Sequence, residues 1–274
     1  MKVSPFKYSG RKLQFVDQIN SLYNNLFFSL DTSELTYVEP YCGSASVFFN
    51  LTSEFKKYII SDIDRNVVEI MKAIKNNPYT VYWALYESVK NQFGDIKNSK
   101  DAYYAFRNWF NENYWGTCDK VEGLYLQLLF GSCINSMARF GPSGFNQGYG
   151  NALFVLSKEE YDVAHIKLQK TEIYNMSFEK LQESILVKYD EHKLFFFFDP
   201  PYIKRGAAYH QFDEDEHSKF IKYLNNCKGK WIYTDIYENQ VKFPFMILRE
   251  NMTNTAPNTK KEKLDNKEVA FYKI

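Results

Sequence analysis

Asp199-Pro200-Pro201-Tyr202 places a carboxylate, two rigid imino acids and a phenol ring in four consecutive positions. Each proline fixes its own φ and lacks an N–H. Asp199 and Pro200 both precede a proline and are driven toward extended backbone. A short carboxylate on so stiff an arm can accept a hydrogen bond from an exocyclic amine while the neighbouring ring stacks on the base that carries it. Taken alone, the four residues also fit an ordinary strand end followed by a Pro-Pro turn, because short motifs recur by chance.

A second cluster is Gly43-Ser44-Ala45-Ser46, whose small side chains let the backbone approach a ligand closely. Asp62 follows Gly43 by 19 residues. In a nucleotide-binding βαβ unit, an acid about 20 residues past the glycine turn binds ribose hydroxyls. Turn and acid together point to a nucleoside-bearing cofactor without separating a nicotinamide from S-adenosylmethionine. A third cluster lies in residues 131–150, which hold five of the chain's 12 glycines with Asn135, Arg139, Asn146 and Gln147 among them. Asn, Gln and Arg are the side chains that read base edges, although an ordered loop of no special role has the same composition. Lys7, Arg11 and Lys12 flank Ser9-Gly10 in a loop that reads as a cationic clamp for a carboxylate or phosphate, or as a solvated arm.

These residues need elements to hold them. Leu194 and the four phenylalanines Phe195 to Phe198 read as a strand buried on both faces, ending at Asp199. Open α/β sheets place ligands at the carboxyl ends of such strands. Leu13 to Leu26 carries a helical apolar pattern. Residues 35–51 read as strand, turn and helix start, 58–62 as a strand, and 66–75 as a helix stopped near Pro78. Residues 80–130 look helical and aromatic, with the stripe through Trp83, Tyr103, Tyr104, Phe106, Trp109 and Phe110 read as helix core. Residues 131–150 predict a hairpin or loop with polar fingers. Strands are expected at 172–174, 230–234, 245–248 and 268–274, helices up to Leu186 and over 214–224, and a polar, Lys-rich loop over 253–266.

Together the segments resemble the Dam-like adenine-specific DNA methyltransferases, the group whose cofactor motif precedes its catalytic motif. Lys7-Tyr8-Ser9-Gly10-Arg11-Lys12 is similar to the family's Lys-Trp-Ala-Gly-Gly-Lys, and Glu39-Pro40-Tyr41-Cys42-Gly43-Ser44-Ala45-Ser46 to its Glu-Pro-Phe-x-Gly-x-Gly-Ser. Ser61-Asp62-Ile63-Asp64 resembles its Ala/Asn-Asp-Ile-Asn. Asn135 to Gly150 resembles its DNA-recognition signature, and Asp199 to Tyr202 matches its Asp-Pro-Pro-Tyr. Tyr209-His210-Gln211-Phe212 with His217 resembles the loop and helix that follow. The short start and Met137 look closest to bacteriophage members. Ala45 replaces a family glycine, which is harmless at negative φ and costs affinity or activity otherwise. Arg11 also replaces a glycine, and Gly141 stands where many members have Asn.

The resemblance implies a Rossmann-like methyltransferase sheet (1–78 and 160–274) with an inserted, mainly helical DNA-recognition domain (79–159) carrying a β-hairpin. It implies S-adenosyl-L-methionine as cofactor, held by Tyr8, Ser9, Gly10, Lys12, Glu39, Pro40, Tyr41, Cys42, Gly43, Ser44, Asp62, Ile63 and Asp199, and no metal. Asp199, Pro200, Pro201 and Tyr202 would be catalytic, acting on the N6 amine of an adenine flipped out of double-stranded DNA, with a GATC-like site as one candidate target. Asn135, Met137, Arg139 and Asn146 would contact the DNA, with Met137 a wedge between base steps, and Lys204 and Arg205 would meet phosphates.

Bulk composition narrows the classes. At 274 residues the chain can bury a sizeable core, and its 22 Tyr and 24 Phe supply it. A net charge of +1 announces no polyanionic partner, so any basic surface is local. Cys42, Cys118, Cys133 and Cys227 are widely spaced with no C-x-x-C, which argues against a zinc ribbon or disulfide scaffold. No signal-peptide pattern or long apolar run is evident, so a soluble protein of the cytoplasm, or of a host's cytoplasm, is expected. Three alternatives stay open: a nucleotide-binding oxidoreductase, an RNA or other N-methyltransferase, and a DNA-binding relative without catalysis.

Overall fold

In the computed structural model, which describes residues 2–8, 10–26, 28, 31–136, 138–151, 153–202, 212–236, 243–249 and 267–273, the phenylalanine run forms an interior strand. Numbered in chain order, the strands are β1 (Thr36–Glu39), β2 (Lys57–Asp62), β3 (Phe140–Gly141), β4 (Gly144–Phe145), β5 (Thr171–Asn175), β6 (Leu194–Phe198), β7 (Lys230–Ile236), β8 (Phe245–Arg249) and β9 (Glu268–Lys273). Seven of them make one mostly parallel sheet of order β5-β2-β1-β6-β7-β9-β8, and β3 and β4 form a separate antiparallel hairpin. β6 runs parallel to β1 and β7, whereas β9 runs antiparallel to both β7 and β8. The fold is Rossmann-like, as the sequence implies.

The chain divides into two compact units. One contains Met1–Gln14, Cys42–Leu51 and Ile60–Met176; the other contains Phe15–Tyr41, Thr52–Ile59 and Ser177–Ile274. In the second unit every residue of β6 is buried. Phe195 packs against Tyr37, Phe55 and Tyr23, the last from helix α1 (Val16–Leu26). Phe198, on the opposite face, packs against Phe178 of α8 (Phe178–Leu186) and Phe220 of α9 (Glu214–Asn226). The period of two along the run thus gives each layer of helices its own phenylalanines.

The first unit is mainly helical: α2 (Ser46–Phe49), α3 (Arg65–Asn76), α4 (Tyr79–Phe93), α5 (Lys100–Asn113), α6 (Glu122–Ser132) and α7 (Lys158–Gln169). All of α6 is buried. It crosses α3 so closely that a Cβ on Gly123 would lie 2.1 Å from the Glu69 carbonyl oxygen. At that crossing Arg65 grips the buried Glu122 through both terminal nitrogens, at 3.1 and 2.8 Å, and Glu122 also accepts from the backbone of Gly116 and Cys118. The expected aromatic stripe is helix core at Tyr103, Phe106 and Phe110, but Tyr104 and Trp109 are only half-buried and Trp83 is 42% exposed. Helix α7 is absent from the sequence expectations. The expected 253–266 loop lies outside the described residues. Among the described residues no helix is long and apolar enough to cross a membrane.

Candidate active site

In the first unit the turn after β1 carries the cofactor motif. Cys42 N–H donates to the Ser61 carbonyl at 2.9 Å, and Ala45 N–H closes the turn onto the Cys42 carbonyl at 2.6 Å. Gly43 has φ +47, and a Cβ there would meet the Tyr8 ring at 3.1 and 3.2 Å, so the ring lies directly across the glycine. Ala45 takes φ +49 and ψ 35, the left-handed region in which an alanine is strained. The positive φ is therefore the case in which the glycine replacement has a cost. Asp62, at the end of β2, accepts the Gly43 N–H at 2.8 Å through Oδ2 and the Asp64 N–H at 2.9 Å through Oδ1. Burial pushes the Asp62 carboxyl up to about 6, against the lowering effect of the Asp64 and Gly43 N–H donors. Asp64 caps α3 through the Asn66 N–H. Lys12 is buried; its N–H donates to Ser46 Oγ at 3.1 Å and its Nζ to the Gly10 carbonyl at 3.1 Å. Ile63 is 55% exposed and pinned by Asn175, whose amide donates to the carbonyls of Asp62 and Ile63. Ser9 lies outside the described residues.

In the second unit β6 delivers Asp199. Its Oδ1 accepts from Thr234 Oγ1 at 2.8 Å, and Thr234 is fully buried on the neighbouring β7. Pro200 is buried, and Tyr202 donates its hydroxyl to Glu268 Oε1 at 2.9 Å. Burial raises the Tyr202 phenol well above its ordinary value, and the charges of Asp199, Glu268 and Asp235 raise it further. The ring therefore stays neutral over the working range. Glu39 is buried and accepts from Tyr37 at 2.5 Å. Tyr41, with φ +58, packs its ring against Phe178, Phe212 and Phe220.

In the first unit β3 and β4 form the hairpin expected within residues 131–150. Arg139 and Asn146 are both exposed and meet through the backbone, Asn146 N–H donating to the Arg139 carbonyl at 2.9 Å. Asn135 is exposed, with φ +55. Met137, Lys204 and Arg205 lie outside the described residues.

A glycine turn with a spaced acid, an Asp-Pro-Pro-Tyr strand end and a polar hairpin thus occur in one chain. The profile of the D12 class N6 adenine-specific DNA methyltransferases matches residues 8–267. The chain belongs to that family. The methyltransferase is 30% identical over 258 residues to the type II methyltransferase M.MjaIII of Methanocaldococcus jannaschii, covering 86% of each chain. It is 28% identical over 203 residues to the type II methyltransferase M.CviBI of Paramecium bursaria Chlorella virus NC1A, covering 71% of this chain and 70% of that one. The DNA adenine methylase of Haemophilus influenzae is 30% identical over 152 residues, 55% of this chain and 48% of its own. The protein is accordingly an N6-adenine DNA methyltransferase, a class that uses S-adenosylmethionine as methyl donor.

The donor set of the first unit fits that cofactor. Ser44 Oγ is buried without a hydrogen-bond partner among the described residues, as a group awaiting a polar ligand would be. Sequence reasoning missed Thr234, Glu268 and Asp235 around the Asp-Pro-Pro-Tyr strand end of the methyltransferase. Asp235 accepts the Tyr233 hydroxyl and lies 3.7 Å from His217 Nε2. Thr234 was visible as the last residue of a predicted strand. Glu268 carried no local signal; it reaches Tyr202 because β9 runs antiparallel to β7 and its first residue pairs with Ile236.

Proposed function

We propose that the enzyme transfers the methyl of S-adenosylmethionine to the N6 amine of an adenine flipped out of double-stranded DNA, with the acceptor amine held by Asp199 and Pro200. The observation that carries this reading is the Asp199 carboxylate, fixed by the Thr234 hydroxyl at 2.8 Å at the end of a fully buried strand and followed by two prolines and Tyr202. The Asp199 carboxylate and the Pro200 carbonyl accept the two amino hydrogens. That draws the nitrogen lone pair out of conjugation with the ring and aims it outward. Tyr202 stacks on the base, its hydroxyl tethered by Glu268. The contribution of these groups is orientation and electrostatic stabilisation of the charge that develops on the nitrogen.

When bound, the cofactor supplies an electrophilic sulfonium methyl. Tyr8, Gly10, Lys12 and the 41–44 turn would hold it, with Lys12 toward its carboxylate, Asp62 toward the ribose hydroxyls and Ile63 offering an apolar face to the purine. Glu39, Pro40 and Ser9 belong to the same motif set. Residues 79–159 are the DNA-recognition region in this reading. Arg139 and Asn146 read base edges there, Asn135 and Met137 act on the duplex beside them, and Lys204 and Arg205 contact phosphates.

The test is methyl transfer by Asp199→Ala. Cofactor binding by calorimetry should persist while incorporation of labelled methyl into unmethylated duplex is lost. Turnover near the unmodified level in that variant overturns the mechanism. Asp199→Asn should also be impaired, because an amide is a weaker acceptor and can present a donor. Asp62→Ala should weaken cofactor binding by about 1.5–3 kcal/mol, the scale of one charge-assisted hydrogen bond.

A further inference from the structure

The α5 helix holds two cations that the reading above leaves unused. Lys100, Tyr104 and Arg107 fall on one helix face at i, i+4 and i+7. Lys100 Nζ lies 5.9 Å from the Tyr104 ring centroid and Arg107 Cζ lies 4.6 Å from the same centroid. Two like charges thus converge on one half-buried ring. Neither has a carboxylate partner among the described residues, and the Arg107 Nε–H is buried and unsatisfied. Arg107 spends Nη1 on the Gln147 carbonyl at 3.3 Å and Nη2 on Asn108 at 3.2 Å. Of the acids close in sequence, Asp95 is engaged by the Lys97 N–H and Asn98, and Asp101 is exposed in the first turn of α5. Converging cations without a counter-ion repel one another, and an anion placed between them relieves the repulsion.

The same helix is locked to the hairpin. The Asn111 carboxamide accepts the Phe145 N–H and donates to the Phe145 carbonyl, both at 2.9 Å, and the Tyr103 hydroxyl donates to the Gln147 carbonyl at 2.9 Å. The two cations therefore keep a fixed register to Arg139 and Asn146.

We propose that Lys100 and Arg107, gathered on Tyr104, form a phosphate-binding point that seats the DNA backbone beside the recognition hairpin. The assignment rests on the reading of the hairpin as a DNA-recognition element. It makes the α5 cations sequence-independent contacts, in contrast to Arg139 as a base reader.

The experiment measures binding of the full-length protein to a cognate duplex and a set of singly substituted duplexes, each across a salt series. Lys100 is exposed and lacks a carboxylate partner, so Lys100→Gln and Lys100→Glu should keep the melting temperature of the unmodified protein. Lys100→Gln should flatten the slope of log affinity against log salt by about 0.9, the signature of one phosphate contact. It should lower affinity by the same factor on every duplex, and Lys100→Glu should flatten the slope further. Arg107→Gln should act in the same direction, whereas Arg107→Lys should keep most of the slope. An unchanged slope in both Lys100 variants overturns the proposal, as does a loss confined to particular duplexes. Arg139→Ala, measured in parallel, tests the underlying reading separately: its loss should concentrate at one base pair. A uniform loss or no loss there defeats the hairpin assignment whatever Lys100 does.

Discussion

Asp62 sets a pH dependence that can be worked out in sign. Its folded carboxyl lies at about 6 against an ordinary value of 3.8, because burial disfavours the charge. Between those values the folded chain keeps a proton that the unfolded chain has lost. The contribution of Asp62 to stability therefore falls as the pH rises from 3.8 to about 6. In the role proposed for Asp62 on the ribose the sign is opposite, since hydroxyl donors favour the carboxylate. The affinity for S-adenosylmethionine should fall as the pH drops below that value, by no more than the loss expected for Asp62→Ala, and calorimetry of Asp62→Asn should show weaker binding with that pH dependence removed. Ala45 offers a second test. Relieving its left-handed backbone with Ala45→Gly should raise stability by about 1 kcal/mol, seen as a higher denaturant midpoint, and should leave or improve cofactor affinity. A lower midpoint would mean that the Ala45 methyl, fully buried, contributes more packing than the strain removes. At this scale the sequence was legible wherever the chemistry is local: Asp199 to Tyr202 are consecutive, and Gly43 and Asp62 bracket one βα unit. Glu268 was not, because a contact across 66 residues is made by strand order rather than by spacing.

Among the elements, β6 was readable because five buried residues in a row permit little else, and its boundaries follow from the Asp-Pro-Pro stop. Helix α7 was unreadable for the converse reason. Tyr161, Ala164 and Leu168 are buried, but Val163 and Ile166 of the same helix are exposed, so the apolar residues do not mark a single face. The hairpin was legible as a glycine-rich, polar stretch, but its support was not. That support is Asn111, which completes the backbone hydrogen bonding of Phe145 from a helix more than 30 residues earlier. Any side chain at Gly144 would collide with it, a Cβ lying 2.5 Å from Asn111 Oδ1. Asn111→Ala leaves both Phe145 groups without that partner, a local loss of about 1–3 kcal/mol. Hydrogen exchange at the Phe145 amide should accelerate by roughly tenfold or more, and discrimination between cognate and near-cognate duplexes should narrow while methylation of the cognate site persists. Asn111→Asp should be intermediate, since a carboxylate can accept the Phe145 N–H but cannot donate to its carbonyl. If protection at Phe145 is unchanged in Asn111→Ala, the hairpin is held by Phe145 packing on Phe130 instead.

For the whole molecule, composition gave the scale of the core but not the use of its aromatics. Most of the buried large side chains are Phe and Tyr, so the ring content that suits stacking on bases is mainly structural. The net charge of +1 likewise conceals where the cations lie. Inside the first unit, α3 and α6 should open together, because Arg65 of one holds the buried Glu122 of the other through two hydrogen bonds. Glu122→Ala tests this, since it leaves Arg65 without its carboxylate and strips the acceptor from the Gly116 and Cys118 N–H groups. Removing one partner of a buried ion pair costs about 3–5 kcal/mol, and the lower part of that range is expected because the Arg65 side chain is 31% exposed. Under conditions where exchange reports the opening equilibrium, the slowest amides of α6 and of α3 should share one free energy, and Glu122→Ala should lower both by the same amount. A loss of protection in α6 with α3 unchanged would show that the two helices open independently and that the Arg65–Glu122 pair does not couple them.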